Sequence, residues 1–209
     1  MEMKEVKIDF VDALKTSFTW GIKNLASIIG AVVLWILTIW VPYINVGTTI
    51  AMMSIPLVIS RGKVISPTFI FDKKYRQYMG EVFLLLGLQN MGIVVGLAFL
   101  IAPGIIIAIA WSLSILFVLD KGLSPTDAMV KSNQYTNGNK GRMFLAMFII
   151  IIGLAIINFI LGLIPFVGGI LCILVTIACA PMFISMQAYF YRKLVLDREI
   201  GGIEYTVVE

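Results

Sequence analysis

The chain contains no histidine. That removes the commonest general base and the commonest metal ligand together. Cysteine is nearly missing too, with only Cys172 and Cys179, both inside an apolar run. Seven residues apart on a helix, they share a face about 10 Å apart along the axis, too far for a disulfide within one helix. Two thiols are also too few for a soft-metal site, so they read as small buried residues. Charge is scarce: 13% of the residues are Asp, Glu, Lys or Arg, where a soluble domain carries about 25%. None of these charges falls deep in an apolar run, which argues against a proton relay or an ion-coupled pump. Basic tracts interleaved with aromatics are missing, and with them a nucleic-acid partner. GxSxG and HExxH do not occur. Asn137-Gly138-Asn139-Lys140-Gly141 fails the Walker spacing and reads as a turn before a helix, with a headgroup-phosphate nest as the other reading. The expectation is a non-enzymatic protein with no cofactor and no metal.

What is present is hydrocarbon. Of 209 residues 60% are hydrophobic, and the mean hydropathy is +0.99. A water-soluble core does not use that much apolar surface, so the solvent must be lipid. The net charge of +4 then points to anionic headgroups. The first ten residues mix acids and bases around no apolar core, and are expected to be retained rather than cleaved. Six apolar segments can be marked, at 25–41, 43–60, 82–102, 104–119, 143–164 and 169–191. Most approach the ~20 residues that cross a ~30 Å hydrocarbon layer. The segment 104–119 is short, about 24 Å by helical rise, and would cross where the bilayer is thin or be extended by its flanks.

All 16 basic and 12 acidic residues lie before, between or after alternate segments, in the N-terminal arm, at 61–81, at 120–142 and in the tail. Six spans put those four regions on one side, and the positive-inside rule makes that side cytoplasmic. A multi-pass protein of the cell (cytoplasmic) membrane is expected, with both termini inside. Asn45 and Gln77 then face opposite sides. The three outer turns are uncharged, and their prolines, Pro42, Pro103 and Pro165, stand 61 and 62 residues apart. That spacing suggests a threefold repeat of hairpins.

The fold expected is all-α, one transmembrane domain over 1–209, with six spans as three hairpins, each preceded by an interfacial helix. The parts are a helix at 8–20 with hairpin 25–60, a helix at 67–80 with hairpin 82–119, a surface helix at 125–136 with hairpin 143–191, and a cytoplasmic tail at 192–209. In the first helix Phe10, Leu14, Phe18 and Gly21 oppose Asp9, Asp12 and Thr16. In the second Phe71, Tyr75, Tyr78, Met79 and Val82 oppose Asp72, Lys73, Arg76 and Gln77, as expected at headgroup depth. The third starts with Ser124 as N-cap, Pro125 in the first helical position and Asp127 near the positive helix end. Its Ala128 and Ser132 offer a small face for close packing. Ser66-Pro67-Thr68 repeats Ser124-Pro125-Thr126.

Lys73, Lys74, Arg76, Lys140 and Arg142 are the candidate contacts to anionic lipid. Gln89, Asn90 and Asn158 are the candidate intramembrane polar cluster, bonding helix to helix or lining a polar cavity. Gly92 and Gly96 form a GxxxG that favours close packing within the subunit.

Pro103-Gly104 leading into Trp111, the Asp-x-Gly-x-Ser of residues 120–124, Ala128 with Ser132, and Gly138 before the fifth span form a pattern. With Pro165 to Gly169 and Tyr191-Arg192, it resembles the membrane-domain family associated with glycerophosphoryl diester phosphodiesterases, and related small prokaryotic membrane proteins. The resemblance implies six helices and a prokaryotic cytoplasmic membrane. No residues of a catalytic phosphodiesterase half accompany it. The function expected is a non-enzymatic membrane module that stabilises a partner complex or organises anionic lipid. Its partners would be lipids on the cytoplasmic face, and a membrane protein or a second copy. The alternative is a transporter or export subunit for an amphiphile or peptide, with Gln89, Asn90 and Asn158 along its path.

Overall fold

A computed structural model describes residues 6–165 and 167–200, and the regular structure among them is entirely helical. The first five residues and the tail beyond 200 lie outside the described residues. Helix α1 runs Phe10–Thr38 without interruption, capped by the Asp9 carboxylate on the backbone N–H of Val11 at 2.8 Å. Its buried stripe is Ala13, Ser17, Gly21, Asn24, Ile28 and Ala31. Those steps of three and four carry one face along the whole helix, so the expected division between an interfacial helix at 8–20 and a span from 25 does not occur. The apolar side is also rotated from the expected one: Phe18 is exposed, and small residues take the inner face. They do so because α1 packs closely on α9 (Gly168–Tyr191), with a methyl built at Gly21 standing 3.3 Å from the Cα of Met182.

The expected segment 43–60 is two helices, α2 (Ile44–Met53) and α3 (Ile55–Ser60), meeting at Ser54. Pro56 lacks the N–H that would continue the ladder, and Ser54 Oγ donates to the Ala51 carbonyl at 2.7 Å. The surface helix expected at 67–80 is two 3₁₀ turns, Pro67–Phe71 and Lys73–Tyr78. Asp72 separates them in an extended conformation and caps the second through the Lys74 N–H at 3.1 Å. That bond, and then the Lys74 ammonium at 3.0 Å, hold the Asp72 carboxyl below the usual carboxylate range. Ser66 makes no such bond to its turn, so the likeness of the two Ser-Pro-Thr segments does not extend to capping. Ser66→Ala should leave thermal stability in detergent within about 0.5 kcal/mol of wild type.

Helix α4 (Met79–Phe99) turns through the single extended residue Leu100 into α5 (Ile101–Ala110). Pro103 sits in the first turn of α5, where its missing N–H leaves nothing unpaired. A methyl at Gly96 would stand 3.0 Å from the Cα of Gly104, and one at Gly92 would overlap the Trp111 ring. The GxxxG therefore closes a contact inside the subunit. Gly104→Ala would set a methyl 2.8 Å from the Leu97 backbone nitrogen, besides overlapping its side chain. It should cost about 1–3 kcal/mol as overpacking. Gly153→Ala meets open space and should be neutral in the same melting assay.

After α6 (Ser114–Lys121), Gly122 closes the helix at φ +64, in the left-handed cap position. Helix α7 (Pro125–Thr136) has the expected bounds and cap, with the Asp127 N–H donating to Ser124 Oγ at 3.2 Å. Helix α8 (Lys140–Gly162) and α9 form the last hairpin. A π-helical turn, Arg192–Leu196, and the short α10 (Asp197–Ile200) complete the described chain.

Among the described residues, five stretches are long and apolar enough to cross a membrane: Phe10–Thr38, Lys73–Phe99, Ile101–Lys121, Lys140–Gly162 and Gly168–Glu199. The chain is an all-α protein with the architecture of a multi-pass membrane protein. Phe99, at 81% exposure, and Phe159, at 72%, mark the lipid-facing flanks of the two long hairpins. The main core lies instead towards the charged end, where the Phe117 ring meets Tyr135 tilted at 5.3 Å and Tyr191 edge-on at 5.7 Å.

Candidate functional site

The expected unbroken span 104–119 is interrupted between α5 and α6 at Trp111–Leu113. The cause is side-chain insertion into the helical ladder. Ser132, fully buried on α7, donates to the Ala110 carbonyl at 2.6 Å and accepts from the Leu113 N–H at 3.1 Å. Leu113 has thereby left the ladder of α5. The neighbouring carbonyls are bonded from other helices as well. Gln89 on α4 donates to Trp111 O at 2.8 Å, and Gln187 on α9 donates to Ser112 O at 2.8 Å. Thr136 lies 3.4 Å from Ala110 O. Non-helical backbone at membrane depth persists only where protein satisfies its polar groups, and three helices do so here. The small face expected at Ala128 and Ser132 is realised, both residues being fully buried.

Gln89, Asn90 and Asn158 do not come together. Gln89 is spent on the helix break, also reaching Ser114 Oγ at 2.5 Å. Asn90 bonds back to Leu86 O at 2.7 Å within α4. Asn158 bonds to Leu154 O on its own helix and reaches Thr176 on α9, while the Cys172 thiol meets Asn158 O at 3.3 Å. Each amide serves backbone or a neighbouring helix. Gln187, which completes the break, was visible as the lone amide of the last apolar run.

The second arrangement is the charged end, where the starts of α1 and α8 and the ends of α3, α6 and α9 meet. Asp120, with a side chain 6% exposed, pairs with Arg61 and accepts from the Tyr191 hydroxyl at 2.6 Å. Tyr189 donates to Asp12 at 2.8 Å, and Lys121 pairs with Glu199 at 2.8 Å. Asn139 accepts from the Ile8 N–H at 2.9 Å and donates to Val6 O at 2.7 Å. The turn once open to a phosphate nest is thus occupied by the chain's own N-terminal segment. Arg142 donates to Ile8 O at 3.1 Å, and Lys140 to Asn133 at 2.7 Å, so both hold structure.

Of the remaining basic candidates, Lys74 is bound to Asp72, and Lys73 is exposed beside it. Arg76 is placed differently. Its guanidinium lies 5.4 Å from the centre of the Tyr43 ring, and a methyl built at Gly47 would stand 2.8 Å from its Cγ. Tyr43 belongs to the turn 41–47, expected outside, whereas Arg76 belongs to the segment 61–81, expected inside. Both expectations cannot hold across a ~30 Å layer, because the two backbones are adjacent. Tyr43 also has φ +71, a conformation a bulky residue rarely adopts. Two grooves open nearby. One, of about 200 Å³, runs between α2 and α4; the other, of about 370 Å³, lies between α1, α2–α3 and α9. Both are mainly apolar, and Thr49 and Met53 line each. Comparison with protein-family models, with curated proteins and with solved structures finds no match to this chain.

Proposed function

We propose that this protein is a non-enzymatic membrane module whose basic face engages anionic lipid and supports a membrane complex. The observation that carries the reading is the fate of the intramembrane amides. Gln89, Asn158 and Gln187 are each bonded into backbone or a neighbouring helix, as in an interlocked scaffold, rather than turned towards a shared polar path. A transporter of the alternative kind would need those groups for its cargo. In the proposed arrangement the charged end faces the cytoplasm, by the positive-inside rule, with both chain ends there. The bonds joining Asp12 to Tyr189 and Asn139 to Ile8 support placing both ends on one side.

Six apolar legs follow, but they are not equivalent. Helices α4, α5–α6, α8 and α9 make four full crossings. The first hairpin, α1 with α2–α3, lies along the cytoplasmic side, its tip held at Arg76 on that same side. The resemblance to the phosphodiesterase-associated membrane domains supports a bacterial or archaeal cytoplasmic membrane, not an activity.

The test is lipid selectivity. The purified protein, exchanged into equal mixtures of phosphatidylglycerol and phosphatidylcholine, should retain the anionic lipid preferentially, and less so as salt rises. Equal retention of both lipids at low salt would remove the proposal.

A further inference from the structure

We infer a seat for one anionic phospholipid between α2 and α4, its phosphate at Arg76 and an acyl chain in the groove alongside. This rests on the lipid-binding reading above and gives it a place. Three observations converge. First, Arg76 is pre-positioned: its stem lies against Gly47 and its guanidinium lies over the Tyr43 ring, 5.4 Å from the centre. Among the described residues no carboxylate pairs with it, whereas neighbouring Lys74 is neutralised by Asp72 at 3.0 Å. A guanidinium held by an aromatic face rather than by a carboxylate keeps N–H donors to offer, and its planar fork matches a phosphate.

Second, an apolar groove runs beside the charge: Val46, next to Gly47, and Met79, three residues after Arg76, both line it. Ile50 and Met53 of α2 and Val82, Phe83 and Leu86 of α4 line it too, and its two polar side chains, Asn45 and Thr49, bond to each other, Thr49 donating to Asn45 Oδ1 at 3.0 Å. Its volume of about 200 Å³ suits part of one acyl chain. Methionine and branched aliphatic walls adapt to a flexible chain without offering it hydrogen bonds. Third, Tyr43 holds φ +71 at the N-cap of α2, the position that presents its ring to Arg76. Strained bulky residues persist where their surroundings fix them, often at ligand clamps. A free phosphate would use the cation and leave the groove empty. A phospholipid uses both.

Native mass spectrometry of the full chain in mild detergent, with phosphatidylglycerol and phosphatidylcholine of matched acyl chains, tests the seat. Wild type should retain one phosphatidylglycerol through dilution. Arg76→Gln should weaken that retention about fivefold, the effect of one basic residue near a headgroup. Gly47→Ala keeps the charge but pushes the arginine stem aside, and should weaken retention too. Leu86→Trp fills the groove and should lower retention of both lipids. Lys131→Gln, at a half-buried position of α7 that does not line the groove, should leave the tightly held lipid unchanged. Wild-type-like retention in Arg76→Gln and Leu86→Trp overturns the seat while leaving the general preference for anionic lipid standing. A dimer that carries no lipid, with a second copy in the groove, overturns it as well. Absence of any phosphatidylglycerol preference in wild type overturns the broader reading with it. Gly47→Ala guards against misfolding of the arginine variant, since either one with wild-type melting reports on the seat.

Discussion

Met129→Pro is expected to lower stability by on the order of 3 kcal/mol, the cost of proline inside a helix. Met129 is the fifth residue of α7, so the substitution removes its N–H from the ladder and forces the first turn apart. The consequence reaches beyond α7. Ser132, three residues on, supplies both a donor to Ala110 O and an acceptor to the Leu113 N–H at the break between α5 and α6. A displaced α7 leaves both backbone groups buried and unpaired. Ser124→Ala removes one cap bond and should cost about 1 kcal/mol. Pro125→Ala should cost less, since no helical partner awaits that N–H. Ser132→Ala separates the two contributions, because it keeps α7 helical and strips only the break, at about 1–3 kcal/mol. Thermal melting in detergent orders the four. Equal losses for Met129→Pro and Ser124→Ala would mean that α7 does not support the broken helix.

That arrangement also shows where sequence reasoning reached and where it stopped. The cap at Ser124, the extent of α7 and the small face of Ala128 and Ser132 were legible, because each depends on residues within a turn of one another. The break at Trp111–Leu113 was not. Trp111-Ser112-Leu113-Ser114 contains no proline or glycine, and its opening depends on Ser132, Gln89 and Gln187, which arrive from three other helices. Likewise the buried stripe on α1 lies one step from the face its aromatic and leucine residues suggest. Phe10, Leu14 and Phe18 look like the inner face until Met182 and Met186 of α9 are known to demand small residues opposite them. The amides at Gln89, Asn90 and Asn158 were found by type, but sharing a hydrophobic depth did not bring them together. Basic residues were found by charge, whereas their roles followed from what stood beside them. Arg142 holds the Ile8 carbonyl, and Arg76 lies on an aromatic ring.

Single cysteines at Pro42 and Gln77, in a background lacking Cys172 and Cys179, are expected to label from the same side of the membrane. A cysteine at Gly169 is expected to label from the other. The first two positions flank the contact between Arg76 and the Tyr43–Gly47 turn, where the side chain lies 5.4 Å from the Tyr43 ring centre. Two backbones that close cannot be divided by a ~30 Å hydrocarbon layer. Gly169 follows the turn between α8 and α9, at the far end of a hairpin whose near end carries Lys140 and Arg192. Its Cβ position meets open space, so the substitution itself should be silent. The charge count alone predicts a different pattern, with Pro42 grouped with Gly169 and opposed to Gln77. The two outcomes are all-or-none with an impermeant thiol reagent applied to sealed cells and then to inverted vesicles. Labelling of Pro42 with Gly169 would restore three equivalent crossing hairpins and separate Arg76 from the turn it is seen to touch. Labelling of Pro42 with Gln77 fixes the first hairpin on the cytoplasmic side and brings the groove between α2 and α4 within reach of inner-leaflet lipid.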